Sequence, residues 1–306
     1  MITEQYYTAN KTITISYKRQ KKDDYILHYP ANPSHPLDKL QARGIKCLSQ
    51  NEYPNLFHKR KNRLVFYEKI QGQTYFFKLF PNRLKSFEIR DIFNPLSLMV
   101  PSKAVKLLKF SLIMKNLNLP TCETILAIDS KQDFIKRKSI LITPQMEGGN
   151  TENIIFSANH DLEYKLKIIE KIYQLAYEMY KLKIFHGDYY PRNLFYDPEK
   201  EKLTIFDLDR AVINCSIQRI MLRDFTKLTR SLLLKLIEPG QDLNKKRYIL
   251  NEFTNFLTNF FEKKKFTKKE LNFIFQKFTI KKIKNNERKH LLSLYKNYLN
   301  KTKLNI

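Results

Sequence analysis

The chain has 306 residues and a formal net charge of +26 at neutral pH, and hydrophobic residues make up 42% of it. This hydrophobic fraction excludes an intrinsically disordered chain, and the length fits one large domain or two lobes. Cys47, Cys122 and Cys215 stand far apart, which excludes a CxxC pair and a disulfide framework and predicts free thiols in a reducing compartment.

Residues 1–55 are polar and interrupted by prolines, with a short β-like run at residues 12–17. The first ten residues include Glu4 and lack the apolar core of a signal peptide, so we expect a protein that begins in the cytoplasm. We interpret residues 1–55 as an extension packed on the first lobe.

Residues 64–67 and 74–77 are rich in β-branched and aromatic side chains, and Gly72 lies in the short stretch between them. This pattern predicts a β-hairpin. Residues 102–117 have apolar side chains at helical spacing, with Ser102 as the predicted N-cap. Four lysines interrupt the apolar stretch at residues 96–119, so we predict no membrane-spanning helix there. A buried strand at 140–142 then leads into a predicted linker at 144–150.

The second half begins with helical spacing over residues 162–182, and the period then changes to that of strands. Residues 193–196 and 202–206 flank a turn at 197–200 and predict a second hairpin, after which the chain looks helical. This order predicts an α+β protein of two lobes. We divide it into the extension 1–55, a β-rich lobe 56–146, a mainly helical lobe 147–250 and a basic helical region 251–306.

The residues at 185–211, FHGDYYPRNLFYDPEKEKLTIFDLDRA, combine a loop with this second hairpin. The hairpin brings Asn193 and Asp207 to its open end, beside the carboxylate of Asp188. Converging carboxylate and amide oxygens suit Mg²⁺, which takes few protein ligands. A further carboxylate can accept a proton from an attacking hydroxyl. The stretch therefore predicts phosphoryl transfer, in which positioning and charge neutralisation do most of the work.

The pattern H-G-D-x-x-x-x-N followed by D-x-D resembles the catalytic and metal loops of protein-kinase-like phosphotransferases. IFDLDRA and the following RDFTKLTRSLL resemble the lipopolysaccharide core heptose and Kdo kinase family, as do TYFFKLF at residues 74–80 and the helix at 102–121. The resemblance spans about residues 63–236. It implies a bilobal protein-kinase-like fold that uses ATP and Mg²⁺ between the lobes.

The resemblance also implies roles for individual residues. Asp188 would be the catalytic base, and His186 would brace the loop around it. Asn193 and Asp207 would hold Mg²⁺, with Asp209 beside them. On the nucleotide side, Lys78 would contact the phosphates, and Met146 with Glu147 would form the hinge that meets adenine.

Two departures from the family pattern stand out. Leu107 occupies the helix position where a glutamate pairs with the strand lysine, and Glu88 is one alternative partner for Lys78. In addition, no glycine-rich loop precedes Lys78. Both departures keep open the possibility of a non-catalytic pseudokinase module.

The basic residues concentrate near the end of the chain, where residues 263–303 contain fourteen basic and two acidic side chains. Such a cluster is either a solvated helical face or a surface for an anionic partner. Nothing beyond charge points to nucleic acid. We expect a kinase acting on a sugar hydroxyl of the anionic lipopolysaccharide core, at the inner face of the inner membrane. A protein kinase, including a secreted effector, is the alternative enzyme.

Overall fold

The computed structural model describes residues 1–9, 11–60, 63–81, 102–130, 138–236, 242–267 and 269–271. The chain divides into two compact units, Met1–Glu147 and Gly148–Ile306. The division falls within the stretch 144–150 that the sequence suggested as a linker. All three cysteines are free, as predicted. Among the helices of the described residues, none is both long enough and apolar enough to cross a bilayer.

The first unit is built on an antiparallel sheet of eight strands, in the order β1-β2-β3-β7-β8-β6-β5-β4. The predicted hairpin is confirmed as β5 and β6, and the predicted strand at 140–142 is confirmed as β8. The strands are β1 Ile2–Thr8, β2 Lys11–Lys22, β3 Tyr25–Pro30, β4 Leu56–Arg60, β5 Arg63–Ile70, β6 Gln73–Phe80, β7 Leu126–Ser130 and β8 Ser139–Pro144.

Residues 1–55, interpreted above as an extension, supply β1, β2, β3 and the helix α1 Leu37–Gln50 to this unit. In β2 the buried side chains of Ile13, Ile15 and Tyr17 alternate with exposed or half-buried ones, which is the pattern of a strand with one covered face. The sheet joins these residues to the rest of the unit because β3 pairs with β7. The segment is therefore part of the sheet itself rather than a layer added to it.

Two helices cover the sheet. The main core cluster includes Leu40 and Leu48 of α1. Gly44 allows the close approach of α1, because a Cβ there would lie 2.5 Å from Cδ1 of Ile128. The second helix, α2 Lys103–Asn116, packs on β2, β7 and β8, and the predicted N-cap Ser102 accepts a hydrogen bond from the Val105 N–H at 3.2 Å.

The second unit is mainly helical and holds a small antiparallel sheet of β9 Gly149–Asn150, β10 Leu194–Asp197 and β11 Lys202–Ile205, in the order β11-β10-β9. The helix predicted over 162–182 is confirmed as α4 Leu162–Lys181, and the second hairpin is confirmed as β10 and β11. The other elements are α3 Thr151–Phe156, α5 Ile217–Ile220, a π-helical segment Met221–Phe225, α6 Thr226–Leu236 and α7 Leu243–Lys263.

An aromatic core joins α4 to the C-terminal helices of this unit. The ring of Tyr173 lies against Phe225, Phe260 and Phe261, and its hydroxyl is 2.6 Å from Oγ1 of Thr229. This core fixes α6 against α4, and the loop that follows α4 is thereby held beside the first turns of α6. A β-rich unit followed by a mainly helical unit confirms the predicted α+β class. Most of the basic region predicted at 251–306 lies outside the described residues.

Candidate active site

The loop between α4 and β10 carries the residues singled out in the sequence. An isolated bridge ties it down at its start, because the N–H of Phe185 donates to the carbonyl of Val212 at 2.9 Å and the Val212 N–H donates back at 2.8 Å. Gly187 follows with φ of +82°, and a Cβ there would lie 2.8 Å from Cβ of Arg210. Glycine is therefore required for both the backbone conformation and the close packing of this loop.

The buried carboxylate of Asp224 fixes the backbone of this loop. Its two oxygens accept hydrogen bonds from the backbone N–H groups of His186 at 2.7 Å and Gly187 at 2.9 Å. Burial raises the pKa of the Asp224 carboxyl to about 7, although both hydrogen bonds act to lower it. Asp224 lies in the π-helical segment, so the start of the α6 region fixes the backbone just before Asp188.

His186 connects the loop that carries Asp188 with the chain at Phe206, just after β11. Its Nδ1 accepts a hydrogen bond from the Asp188 N–H at 3.3 Å, and Nε2 lies 3.1 Å from the carbonyl oxygen of Phe206. A neutral imidazole protonated on Nε2 satisfies both contacts. Burial lowers the pKa of His186 to about 4, and the nearby carboxylates of Asp207 and Asp188 oppose this shift. The ring therefore braces the loop in its neutral form.

The hairpin brings Asn193 and Asp207 to its open end. Leu194 pairs with Ile205, and the N–H of Phe206 donates to the Asn193 carbonyl at 3.1 Å. Asp207 has a left-handed backbone with φ of 57°, which is uncommon for a residue other than glycine and bends the chain sharply after β11. Asp209 follows in the short 3₁₀ turn Leu208–Arg210 and is half-buried.

The donor set at this end suits a hard divalent cation. The side-chain amide nitrogen of Asn193 donates to the backbone carbonyl of Asp188 at 2.7 Å and to its Oδ2 at 3.2 Å. The Asn193 amide oxygen is not used in these two contacts, and amide and carboxylate oxygens such as those of Asn193 and Asp207 are the donor types that Mg²⁺ takes. Within the described ranges, no group of three or more His, Cys, Asp and Glu side chains could hold a metal ion.

Two cations flank the Asp188 carboxylate. Nη2 of Arg192 lies 3.5 Å from Oδ2, and Nζ of Lys227 lies 3.9 Å from Oδ1. Sequence reasoning singled out neither Lys227 nor Asp224, although both fall within RDFTKLTRSLL. Their signal was available: an acidic residue at an apolar-facing helix position, followed three residues later by a lysine on the same face.

The residues predicted to bind the nucleotide belong to the first unit. Lys78 lies on β6, with Nζ 5.6 Å from the centre of the Phe80 ring. Its sheet face is opposite the main core cluster, since the neighbouring Phe77 and Leu79 belong to that cluster. Met146 is half-buried and Glu147 is exposed, just after the Gln145 N–H donates to the carbonyl of Thr74.

The position at which the sequence departs from the family pattern is buried. Leu107 is buried in α2, where its side chain is 6% exposed. A packed apolar side chain therefore lies at the position where the resemblance implies a glutamate. Glu88, the suggested alternative partner of Lys78, lies outside the described residues.

Comparison with known protein families matches this chain to one of them. The model of the lipopolysaccharide kinase (Kdo/WaaP) family matches residues 103–283, more than half of the chain. No curated protein matches. Among solved structures, the chain is similar to "WaaP in complex with acyl carrier protein", with 15% identity, a TM-score of 0.48, and coverage of 73% of this chain and 88% of that one. It is also similar to the Cydia pomonella granulovirus kinase PK-1, with 18% identity, a TM-score of 0.35 and 57% coverage of each chain.

Proposed function

The chain belongs to the lipopolysaccharide kinase (Kdo/WaaP) family and is a kinase, and from this premise we propose that it transfers the γ-phosphoryl group of ATP to a sugar hydroxyl of a lipopolysaccharide core. The observation that carries the proposal is the Asp188 carboxylate, held beside Asn193 on a loop that Asp224 and His186 both brace. A carboxylate fixed in this way has the geometry of a general base.

In this mechanism Asp188 accepts the proton of the acceptor hydroxyl as the hydroxyl oxygen bonds to the γ-phosphorus. The bond from that phosphorus to the β–γ bridging oxygen breaks, and ADP leaves with its electron pair. Asn193 and Asp207 would hold Mg²⁺, with Asp209 as the adjacent candidate ligand. When bound, the ion neutralises negative charge on the phosphate oxygens.

The nucleotide contacts are assigned to the first unit. Lys78 would pair with the α- and β-phosphates, because its ammonium stands on the sheet face away from the main core. Met146 and Glu147 would meet the edge of the adenine through the backbone that follows β8. Because Leu107 replaces a carboxylate, Lys78 would depend on a partner other than the helix position used in the family.

The net charge of +26 supports an anionic, membrane-anchored acceptor. The proposal therefore places the protein in the cytoplasm, in peripheral contact with the inner face of the inner membrane. Its partner there would be the lipopolysaccharide core or another anionic sugar acceptor.

The test is transfer of label from γ-labelled ATP, with Mg²⁺, to purified lipopolysaccharide core or to a generic protein acceptor. Asp188→Ala should lower transfer by at least about 10²-fold, because it removes the general base. Glu199→Ala is the matched control, since Glu199 is an exposed carboxylate in the hairpin turn of the same unit. It should leave transfer unchanged.

The acceptor that takes the label decides among the alternatives. Label in lipopolysaccharide that is lost in Asp188→Ala supports the sugar-kinase proposal. Label in the protein acceptor would replace the sugar-kinase proposal with the hypothesis of a protein kinase. If neither acceptor is labelled although a control kinase labels both, the protein is a non-catalytic member of the family. The buried Leu107 would then be the sequence feature that indicates it.

A further inference from the structure

Lys227 lies close to the proposed reaction centre although it is 39 positions away from Asp188 in the sequence. Its ammonium donates a hydrogen bond to the carbonyl oxygen of Gly187 at 2.8 Å and lies 3.9 Å from Oδ1 of Asp188. It stands in the first turn of α6, only three residues after Asp224. The helix region that fixes the backbone before Asp188 thus also delivers a positive charge to its side chain.

The two oxygens of Asp188 have different cationic partners. Lys227 faces Oδ1, and the guanidinium of Arg192 faces Oδ2 at 3.5 Å. Arg192 comes from the loop itself and its side chain is 57% exposed, whereas that of Lys227 is 25% exposed. The less exposed cation is the one with less freedom to move.

Tyr190 keeps both cations near the carboxylate. Its ring centre is 5.5 Å from Nζ of Lys227 and 4.9 Å from Cζ of Arg192. A cation over an aromatic ring is attracted by the ring quadrupole. The single side chain of Tyr190 therefore contacts the cation on each side of Asp188, and it restrains both.

The location of Lys227 is electrostatically unfavourable for a lysine that would only join a helix to a loop. Burial lowers its pKa, as do the nearby cations of Arg223 and Arg210, while Asp188 and Asp224 oppose this shift. A neutral hydrogen-bond donor could serve the Gly187 carbonyl without that cost. Of the two carboxylates that act on Lys227, Asp188 is the one with which it forms an ion pair, at 3.9 Å.

We propose that Lys227 is a positioning residue for phosphoryl transfer, whose ammonium, anchored on Gly187, holds the Asp188 carboxylate in the orientation that receives the hydroxyl proton. The inference rests on the role proposed for Asp188. Lys227 acts through that carboxylate and leaves nucleotide binding to other residues. Its loss should lower kcat and leave the KM for ATP nearly unchanged.

Three substitutions separate the charge from the hydrogen bond. Lys227→Met removes both, Lys227→Gln keeps a donor without the charge, and Lys227→Arg keeps both. We expect Lys227→Met and Lys227→Gln each to lower kcat by about 10²-fold, as misplacement of a catalytic group does. Lys227→Arg should retain at least about a tenth of the wild-type kcat. The matched control is Lys235→Met on the same helix, which removes an ion pair with Glu152 and should leave kcat unchanged. The proposal would be overturned if Lys227→Gln kept the wild-type kcat, or if Lys227→Arg had a kcat as low as that of Lys227→Met.

A double-mutant cycle tests whether Lys227 acts through Asp188. With γ-labelled ATP and purified lipopolysaccharide, adding Lys227→Gln to Asp188→Ala should cost no more than about twofold, because the group that Lys227 orients is already absent. A further loss of about 10²-fold would mean that Lys227 acts on the substrate directly, and it would overturn the proposal.

The cycle also distinguishes failure of this inference from failure of the proposed function. If Asp188→Ala alone retains full activity, the proposed base is wrong. If Asp188→Ala lowers transfer by about 10²-fold while Lys227→Gln keeps the wild-type rate, only the positioning role is wrong. Thermal unfolding of each variant reports whether the helix and loop still pack.

Discussion

At the scale of single residues, His186 and Asp224 are two buried titratable groups next to the candidate base. The pKa of Asp224 is about 7 in the folded protein and near 3.8 for a free side chain, so between these values the folded state binds more protons than the unfolded state. Its contribution to stability therefore falls as the pH rises from about 4 to 7. The pKa of His186 is about 4 against an ordinary 6.5, so its contribution falls as the pH drops through that range. The two effects oppose each other.

Asp224→Asn should expose the titration of His186. Without the opposing carboxyl, acidification from pH 6.5 to 4 protonates His186 preferentially in the unfolded state and should cost roughly 3 kcal/mol more than in the wild type. The measurement is urea unfolding at several pH values. Asp224→Asn/His186→Asn is the control in which this extra loss disappears, and parallel pH profiles for Asp224→Asn and wild type would contradict the interpretation.

The residues of the candidate site differ in how far sequence could reveal them. Asn193 and Asp207 were predictable as neighbours because a short hairpin joins them, and hairpin pairing is a local property. Asp224 and Lys227 were not, since they reach the loop only through packing of α6 against α4. The left-handed backbone of Asp207 was equally hidden, because aspartate adopts that conformation more readily than most residues but does not require it.

At the scale of elements, the first strand is tied to α2 by one carboxylate. Glu4 on β1 accepts hydrogen bonds from Nζ of Lys109 at 2.6 Å, from the hydroxyl of Tyr17 at 2.7 Å and from the hydroxyl of Tyr6 at 2.5 Å. The Lys109 ammonium also lies 5.3 Å from the centre of the Tyr17 ring. This network connects β1 and β2 with the helix that covers them.

Glu4→Ala should lower the free energy of unfolding by about 2 kcal/mol, because it leaves a half-buried ammonium and two hydroxyls without their acceptor. Burial raises the pKa of Glu4, but the hydrogen bonds from Lys109, Tyr6 and Tyr17 outweigh it and lower the pKa below 4.5. The stabilisation is therefore present above pH 4.5 and is lost as the pH falls through the folded-state pKa. Denaturant unfolding at pH 7 and pH 3 measures both effects.

The neighbouring Gln5→Ala is the control for this prediction, since the Gln5 side chain is exposed on the same strand and accepts a hydrogen bond from the exposed hydroxyl of Tyr7. It should change stability by less than about 0.5 kcal/mol. Equal destabilisation by the two substitutions would show that β1 responds to any truncation and that the Glu4 network has no special part in it.

Some elements of the fold follow from local sequence patterns, and others depend on contacts between distant parts of the chain. Hairpins and amphipathic helices were predictable from their periodicity, as β5 with β6 and α4 demonstrate. The place of residues 1–55 was not, because it depends on the pairing of β3 with β7, about a hundred residues later. Such long-range pairing leaves no local pattern, and the prolines around α1 made the segment look like a loop-rich extension.

At the scale of the whole molecule, positive charge is distributed unevenly. Fourteen basic and two acidic side chains at residues 263–303 supply +12 of the net +26. An anionic leaflet attracts such a segment with about 1 kcal/mol for each basic residue near the surface, and salt weakens the attraction. If the acceptor is anchored in a membrane, this charge would concentrate the enzyme where the acceptor is.

The charge hypothesis can be tested by neutralising three lysines in two different places. Lys281→Gln/Lys282→Gln/Lys284→Gln removes charge from the basic segment, and Lys18→Gln/Lys21→Gln/Lys22→Gln removes the same charge from exposed positions of β2. With vesicles containing anionic phospholipid at low salt, the first variant should bind about 10²-fold more weakly than wild type, since three contacts of about 1 kcal/mol are lost. The second variant has the same net charge, so equal weakening in both would show that binding follows total charge and not the C-terminal segment.

Unchanged binding in the first variant would remove the membrane part of the proposal. It would leave the phosphoryl-transfer chemistry at Asp188 untouched, because that chemistry is argued from a separate set of residues.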